Sequence, residues 1–441
     1  MSPPVPAGVA RPQPDVAGID DLDLLDPALH AANDLTPVWR WLRAHDPVRR
    51  HERFWSVTRH ADVLRVVRDP AAFTSLQGNM LRTLLRGHDP GAGRMLVVTD
   101  GPRHTRLRRL LTPGFGPRTL GPVTRSITTA TRELLGALVR RGGGDFVAEV
   151  AAQVPLRAIC ELLGVPERDR RRVLELTGDA MLGEGDTHEQ GGTSPGTRAD
   201  GGGGGAAGPG RRTGAGGGTG SAGNAGGVTR QARIAQSEIL LYYTRLAAER
   251  RTAPGDDIVS LLVGGGLTEE EILLNCYNLI IGGDETARLA MAGGLLALAT
   301  YGEQWARLRA DPALIAPAVE EILRWTTPAA HVGRTATRDT ELAGRKVAAG
   351  DVVALWTVSA NRDETVFDAP DRFDVGRTPN RHLTFGYGPH FCLGAQLARA
   401  EIGALLAELR ESVREITVTG PVTWLPSNFI NGVRTLPIAL E

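Results

Sequence analysis

The sequence predicts a mainly α-helical fold with smaller β-sheets, an α+β class whose two kinds of element interleave along one chain. Three observations predict it. Much of the text from Asp100 onward places apolar residues three and four apart, as amphipathic helices require. The stretch from Glu269 to Thr300 is apolar nearly all round, so it should cross the interior as one long helix. Alternating, β-like text is confined to a short run at Trp55 and to the region beyond Val332.

In chain order, residues 1–20 are proline-rich and lack the apolar core of a signal peptide, and they read as a disordered leader. From Trp55 to Phe73 the pattern is a strand followed by a helix, with Asp69-Pro70 as its stop. Helical text follows in GPRHTRLRRLL, TRSITTATRELLGALVRR and DFVAEVAAQVPLRAICELLG. Between 183 and 227 glycine takes over, including the run Gly201 to Gly205. Such a segment buries too little apolar surface to offset the entropy of ordering it, so it reads as a flexible insertion. Helix resumes near Thr229-Arg230, turns at Pro254-Gly255-Asp256, and leads into the interior stretch. Asp311-Pro312 and Pro317 mark helix starts, where proline is tolerated in the first turn. One more helix, AQLARAEIGALLAELRESV, precedes a β-rich C-terminus.

Composition narrows the function classes. The 441 residues carry 50 basic and 50 acidic side chains, a balance that argues against a dedicated nucleic-acid binder. Lys346 is the only lysine, so nearly all the positive charge is arginine. Length alone would suggest about three domains, a soft prior. No uninterrupted apolar run reaches the roughly 18 residues of a membrane span, and a cytoplasmic protein is expected. The three cysteines, Cys160, Cys276 and Cys392, fit neither zinc spacing nor a disulfide framework. Cys160 and Cys276 sit in apolar text and read as small core residues.

Cys392 is different. It ends Phe385-Gly386-Tyr387-Gly388-Pro389-His390-Phe391-Cys392-Leu393-Gly394, directly before a helix. Gly386 and Gly388 permit a tight turn with positive φ, and a helix N-terminus favours a thiolate. This segment resembles the heme-binding signature of the cytochrome P-450 family, Phe-Gly-x-Gly-x-His-x-Cys-x-Gly, at every fixed position. The resemblance extends from about Asp46 to the C-terminus apart from the glycine-rich insertion. It implies one heme domain over 21–441, with the 183–227 insertion between two helices that roof the pocket. It also implies heme b (iron protoporphyrin IX) with Cys392 as axial ligand; a thiolate ligand favours cleavage of a bound O–O bond.

Other landmarks agree. Gly282-Gly283-Asp284-Glu285-Thr286 puts two glycines, two acids and a threonine in an apolar helix, each at a cost. It resembles the family's Ala/Gly-Gly-x-Asp/Glu-Thr motif, which implies catalytic roles for Thr286, Glu285 and Gly283. Thr286 would orient dioxygen and water, and Glu285 would support proton delivery. The Thr286 hydroxyl is expected to bond a carbonyl one turn back. Glu321 and Arg324, three apart on one helical face, match the family's Glu-x-x-Arg pair. Arg377 or Arg372 would complete that network. His104, Arg108, Arg334 and His390 match the family's partners for the heme propionates, and arginine binds carboxylate as a fork. Phe385, Gly386 and Gly394 complete the cofactor-binding set. His331 falls where the family's substrate pocket often lies.

The function so implied is a monooxygenase inserting one atom of O2 into a C–H bond, by hydroxylation or epoxidation. The substrate would be a largely apolar small organic molecule, in a tailoring step of secondary metabolism. The apolar expectation rests on Met80, Leu81, Leu84 and Leu85 in the loop after Phe73. Partners implied are a ferredoxin and its NAD(P)H-dependent reductase, docking near Cys392; neither a membrane nor a nucleic acid is expected, and the chain reads as a monomer. The alternatives are an oxidative-coupling, cyclising or peroxide-driven heme enzyme, and, from another class, a non-catalytic heme sensor or carrier.

Overall fold

A cap sets where the longest helix begins. In a computed structural model, which describes residues 9–185 and 230–441, Thr268 closes a capping box with Glu271 and starts the helix Glu269–Thr300. The Thr268 N–H donates to Glu271 Oε2 at 2.9 Å, and Glu271 N–H returns a bond to Thr268 Oγ1 at 3.3 Å. Three glutamates in the first turn meet the positive end of the helix dipole. Much of the rest of it is buried, as its near-uniform apolarity requires. Glycine sets two of those contacts. A Cβ on Gly283 would come within 2.9 Å of Ile159, on the helix Gln153–Leu162, and one on Gly294 within 2.8 Å of Ile322, on the helix Ile315–Thr326.

The helices Arg230–Thr252 and Ala395–Ser412 pack against it, and Pro117–Arg140 packs on Ala395–Ser412. They enclose one large core that includes Leu135, Tyr243, Cys160, Cys276 and Leu405. A five-stranded sheet lies to one side, in the order Val48–Arg50, Trp55–Val57, Val352–Leu355, Val332–Ala336, Phe73–Thr74. Trp55–Val57 runs parallel to Val352–Leu355, and the other pairings are antiparallel. This sheet covers a second core around Val57, Val63 and Val353. The C-terminal strand Pro437–Leu440 lies between Gly143–Asp145 and Ile416–Val418. No described helix is long and apolar enough to cross a membrane. The α+β class with helix dominant is the observed architecture.

Three expectations need comment. The leader expected to be disordered over 1–20 is corrected from residue 9 onward; residues 1–8 lie outside the described residues. Asp15 caps a 3-10 helix Val16–Asp21, Ile19 is buried, and Arg11 donates to the His30 carbonyl at 2.8 Å while stacking on Trp424. The leader's few apolar and cationic groups find partners that are remote in the sequence. The unbroken helix read from Asp145 is also corrected: Gly143–Asp145 is a strand, and a π turn Val147–Ala151 precedes Gln153–Leu162. Gly143 is indispensable there, because a Cβ would lie 2.1 Å from the Ile438 carbonyl oxygen. The glycine-rich insertion of 183–227 lies outside the described residues from 186 on, and the helix Glu167–Gly185 reaches its first three positions.

A buried ionic cluster ties the helix Ile315–Thr326 to the loop before Cys392. Glu321 and Arg324 are wholly buried and paired twice, at 2.7 and 2.8 Å. Arg377 adds its Nε at 3.1 and 3.2 Å, whereas Arg372 contributes only its carbonyl. Asn380 and the Asp374 N–H also donate to Glu321, and Arg324 donates to the carbonyls of Asn361 and Pro370. Glu321→Ala would strand two guanidinium groups in the interior. It is expected to cost about 3–5 kcal/mol in chemical denaturation, or to abolish folding.

Candidate active site

The Cys392 loop is built by two left-handed glycines and one backbone bond. Gly386 and Gly388 adopt φ of +67° and +70°, and the chain reverses so that Cys392 N–H donates to the Phe385 carbonyl at 2.8 Å. The helix Ala395–Ser412 starts three residues later. Cys392 opens into a cavity whose other wall is the interior helix, through Gly282, Gly283, Thr286, Ala287 and Ala290. Desolvation pushes the Cys392 thiol up from its ordinary value, while the Gly394 amide, Arg108 and Arg399 pull it down less strongly. Direct coordination to a metal cation is what deprotonates a thiol so placed.

On the facing helix the motif divides its labour. Thr286 lines the cavity and its Oγ1 donates to the Gly282 carbonyl at 3.0 Å. Gly282 opens onto free space, since a Cβ there would meet nothing within 4 Å. Gly283 also lines the cavity, but its missing side chain chiefly admits Ile159 from the neighbouring helix. Glu285 is buried off the cavity wall, with its carboxylate held by Arg288 one turn on, Nε to Oε2 at 2.9 Å.

The basic set converges on the cavity. His104, Arg108, Arg334 and His390 all line it, with the rings of His104 and His390 4.3 Å apart. Burial lowers Arg334 to about 10, opposed by Asp100. Burial, with His390 and Arg108 adding to it, lowers His104 to about 4, so this ring is neutral. His104 Nε2 is buried with no hydrogen-bond partner. An orphaned imidazole nitrogen, the buried Arg334 and the half-buried Arg108 around a cavity floored by a cysteine fit a flat dianionic tetrapyrrole, whose carboxylates would supply the missing acceptors.

One group in this network escaped the sequence reading. Asp100, the N-cap of the helix Gly101–Leu111, faces His390 Nε2 at 2.8 Å and accepts from Ser75 N–H and Oγ, each at 2.8 Å. An aspartate before Gly-Pro looks like any helix start; only the fold brings it to His390.

The substrate side also differs from expectation. Leu81 and Leu84 are buried beneath the sheet, Leu84 packing over Gly333, and none of Met80, Leu81, Leu84 or Leu85 lines the cavity. Asn79 is the lining residue from their stretch, and apolar walls come instead from Leu96, Val97 and Leu279, with Asn278 as a second amide. His331 is wholly buried: Nε2 accepts from Leu81 N–H at 3.1 Å and Nδ1 faces the Asn428 carbonyl at 3.0 Å. It clasps two segments together rather than meeting a ligand.

Burial opposes the Asp100 charge, yet hydrogen bonds from His390, Thr74 and Ser75 hold its carboxyl well below the usual range. The stability it contributes is therefore complete above its ordinary value of 3.8 and is lost as pH falls further. Asp100→Asn is expected to cost roughly 1–3 kcal/mol at pH 7 and to flatten the acid limb of stability against pH, read by denaturation across that range.

The family model for cytochrome P450 matches residues 256–411. Cytochrome P450 NovI of Streptomyces niveus is 40% identical, covering 98% of this chain and 99% of its own. Steroid C26-monooxygenase of Mycobacterium tuberculosis is 31% identical over 95% of this chain and 96% of its own. Among solved structures, P450 OxyD, described as involved in the biosynthesis of vancomycin-type antibiotics, superposes with a TM-score of 0.80 at 33% identity, covering 95% of this chain and 99% of its own. Likeness at this identity and over nearly the full length, with a cysteine turn facing a glycine–threonine helix across one cavity, makes this chain a member of the cytochrome P450 family of heme-thiolate monooxygenases.

Proposed function

We propose that this enzyme inserts one atom of O2 into a C–H bond of a largely apolar small molecule, with Cys392 as the residue that would hold heme b. The observation that carries the reading is that Cys392 and Thr286 face the same cavity from opposite walls. Bound there, a heme supplies dioxygen activation, which a thiolate ligand favours. The protein's own groups do the rest. His104, Arg108, Arg334 and His390 would hold the propionates, and Phe385, Gly386 and Gly394 would shape the ring's bed. Thr286, its hydroxyl hydrogen directed to the Gly282 carbonyl, accepts a hydrogen bond from cavity water and keeps that water oriented. Glu285, paired with Arg288, exchanges protons with it by turning from its guanidinium partner. Leu96, Val97 and Leu279 exclude bulk water, and Asn79 and Asn278 offer the substrate two amide handles.

The finer assignment is a tailoring step on a secondary metabolite, within a single domain spanning 21–441. It is supported by the likeness to a protein described as part of antibiotic biosynthesis. Ferredoxin and an NAD(P)H-dependent reductase supply the electrons. Arg68, stacked on the exposed Tyr387 of the cysteine turn, contributes positive charge to the docking face, which attracts an acidic partner.

Reduced protein under carbon monoxide should show the Soret band of a thiolate-ligated heme, and Cys392→Ser should lose it. With a surrogate ferredoxin, its reductase and a ligand chosen by its shift of the heme from low to high spin, Thr286→Ala should divert most electrons to hydrogen peroxide. Product yield should fall by about tenfold or more. An unchanged peroxide yield would instead favour a carrier without turnover.

A further inference from the structure

A second cavity, of about 490 Å3, lies further along the interior helix and shares no lining residue with the cysteine cavity. Leu289, Gly293 and Leu296 form part of its apolar lining, and Trp39, Trp325 and Trp424 stand in its walls. Four arginines line it as well. Arg43 is committed to Glu364, with bonds of 2.8 and 3.0 Å, and Arg40 reaches Asp371 and Glu364. Arg11 and Arg362 are held differently. Each guanidinium lies on a tryptophan ring, Arg11 over Trp424 at 3.9 Å and Arg362 over Trp325 at 3.8 Å. Stacking satisfies none of the five N–H groups that a guanidinium carries. Among the described residues, Arg11 donates to the His30 carbonyl alone, at 2.8 Å. Arg362 has two long bonds, 3.4 Å to Asp371 Oδ1 and 3.3 Å to the Trp325 carbonyl.

The charges around this cavity do not balance. Its four guanidiniums meet three carboxylates, Asp34 and Asp371 in the lining and Glu364 behind Arg43. Asp34 is already supplied with donors by Thr36 and Gln13. His30 also lines the cavity, and burial lowers it below its ordinary 6.5, so it is neutral at pH 7. Burial lowers Arg11 and Arg362 to about 10, with Arg324 adding to it at Arg362, and both remain cationic. Asp34 acts on both, so they share one electrostatic neighbourhood. One positive charge is thus left over, between flat indole walls, in a space of ordinary ligand size. We propose that this cavity is a second ligand site, for a small aromatic carboxylate bound through Arg11 and Arg362 with its ring against the tryptophans. A carboxylate can take two parallel N–H bonds from a guanidinium, and its single charge matches the surplus. A neutral ring would leave the donors unanswered. The site does not depend on the heme-thiolate reading.

Calorimetric titration of the heme-loaded full-length protein with 2-naphthoate should show binding that persists while imidazole saturates the heme iron, as followed in the Soret band. 2-Naphthamide, the same ring without the charge, should bind about tenfold more weakly or worse. R11Q and R362Q should each weaken naphthoate by a similar factor, and R11K, which keeps the charge, should recover part of the loss. R168Q, which removes one charge from an exposed position on the helix Glu167–Gly185, should change nothing. With 5-fluorotryptophan incorporated, naphthoate should move the fluorine resonances of Trp39, Trp325 and Trp424 and leave those of Trp55 and Trp305 in place. Binding abolished by imidazole would put naphthoate beside Cys392 and overturn the proposal. Equal affinity for the amide, an unmoved fluorine spectrum, or no binding at millimolar naphthoate would overturn it as well. Should R362Q fail to fold, the Arg11 variants and the fluorine spectrum decide by the same criteria. A Soret band that imidazole does not move counts against the heme-thiolate reading alone, because the amide comparison, the variants and the fluorine spectrum test this site without it.

Discussion

A set of largely buried hydrogen-bond donors without a matching anion is the constraint around which this molecule is arranged. Arg108 and Arg334, with His104 and His390, surround one cavity, and Asp100 answers only part of their demand. Desolvation lowers His104 and Arg334, so this concentration of donors is costly unless something anionic fills the space. The thiol of Cys392 is subject to the same rule with opposite sign, being pushed toward its neutral form. The propionates of a heme would answer the donors and its iron would deprotonate the thiol, so cofactor and fold would depend on each other here.

The interior helix reconciles packing with chemistry by assigning them to different faces. Gly283, Gly293 and Gly294 bring Ile159, Thr326 and Ile322 close, while Gly282 and Thr286 leave open space on the cavity side. A helix so apolar tolerates Glu285 because Arg288 accompanies it. Asp284, buried on the same helix, has its carboxyl pushed up to about 8 by burial and by the charge of Glu285, with Arg288 opposing. Below this level, the Glu321–Arg324–Arg377 cluster fastens the loop that delivers Cys392 to the helices that face it.

Much of this was readable along the chain because its causes are local. Helix caps, prolines and apolar spacing mark element ends, so Gly101–Leu111, Glu269–Thr300 and Ala395–Ser412 begin and end close to where the text changes. The two glycines before Cys392 and the three-residue spacing of Glu321 and Arg324 are local too. What could not be read depends on partners distant in sequence. Residues 9–20 look unstructured until His30 and Trp424 are beside them. The leucines after Phe73 could face either a substrate or the sheet, and only tertiary packing turned Leu81 and Leu84 inward.

By itself, then, the sequence determined the element pattern, the cysteine turn and the family. Each follows from residue identity at short spacing, where backbone geometry and periodicity leave few alternatives. Tertiary structure alone decided that Asp100 anchors His390, that Arg377 rather than Arg372 completes the buried cluster, and that His331 joins Leu81 to Asn428. Burial and electrostatic neighbourhood are properties of the packed chain: hydrogen bonds, desolvation and charge act across space, between residues that the linear order leaves hundreds of positions apart.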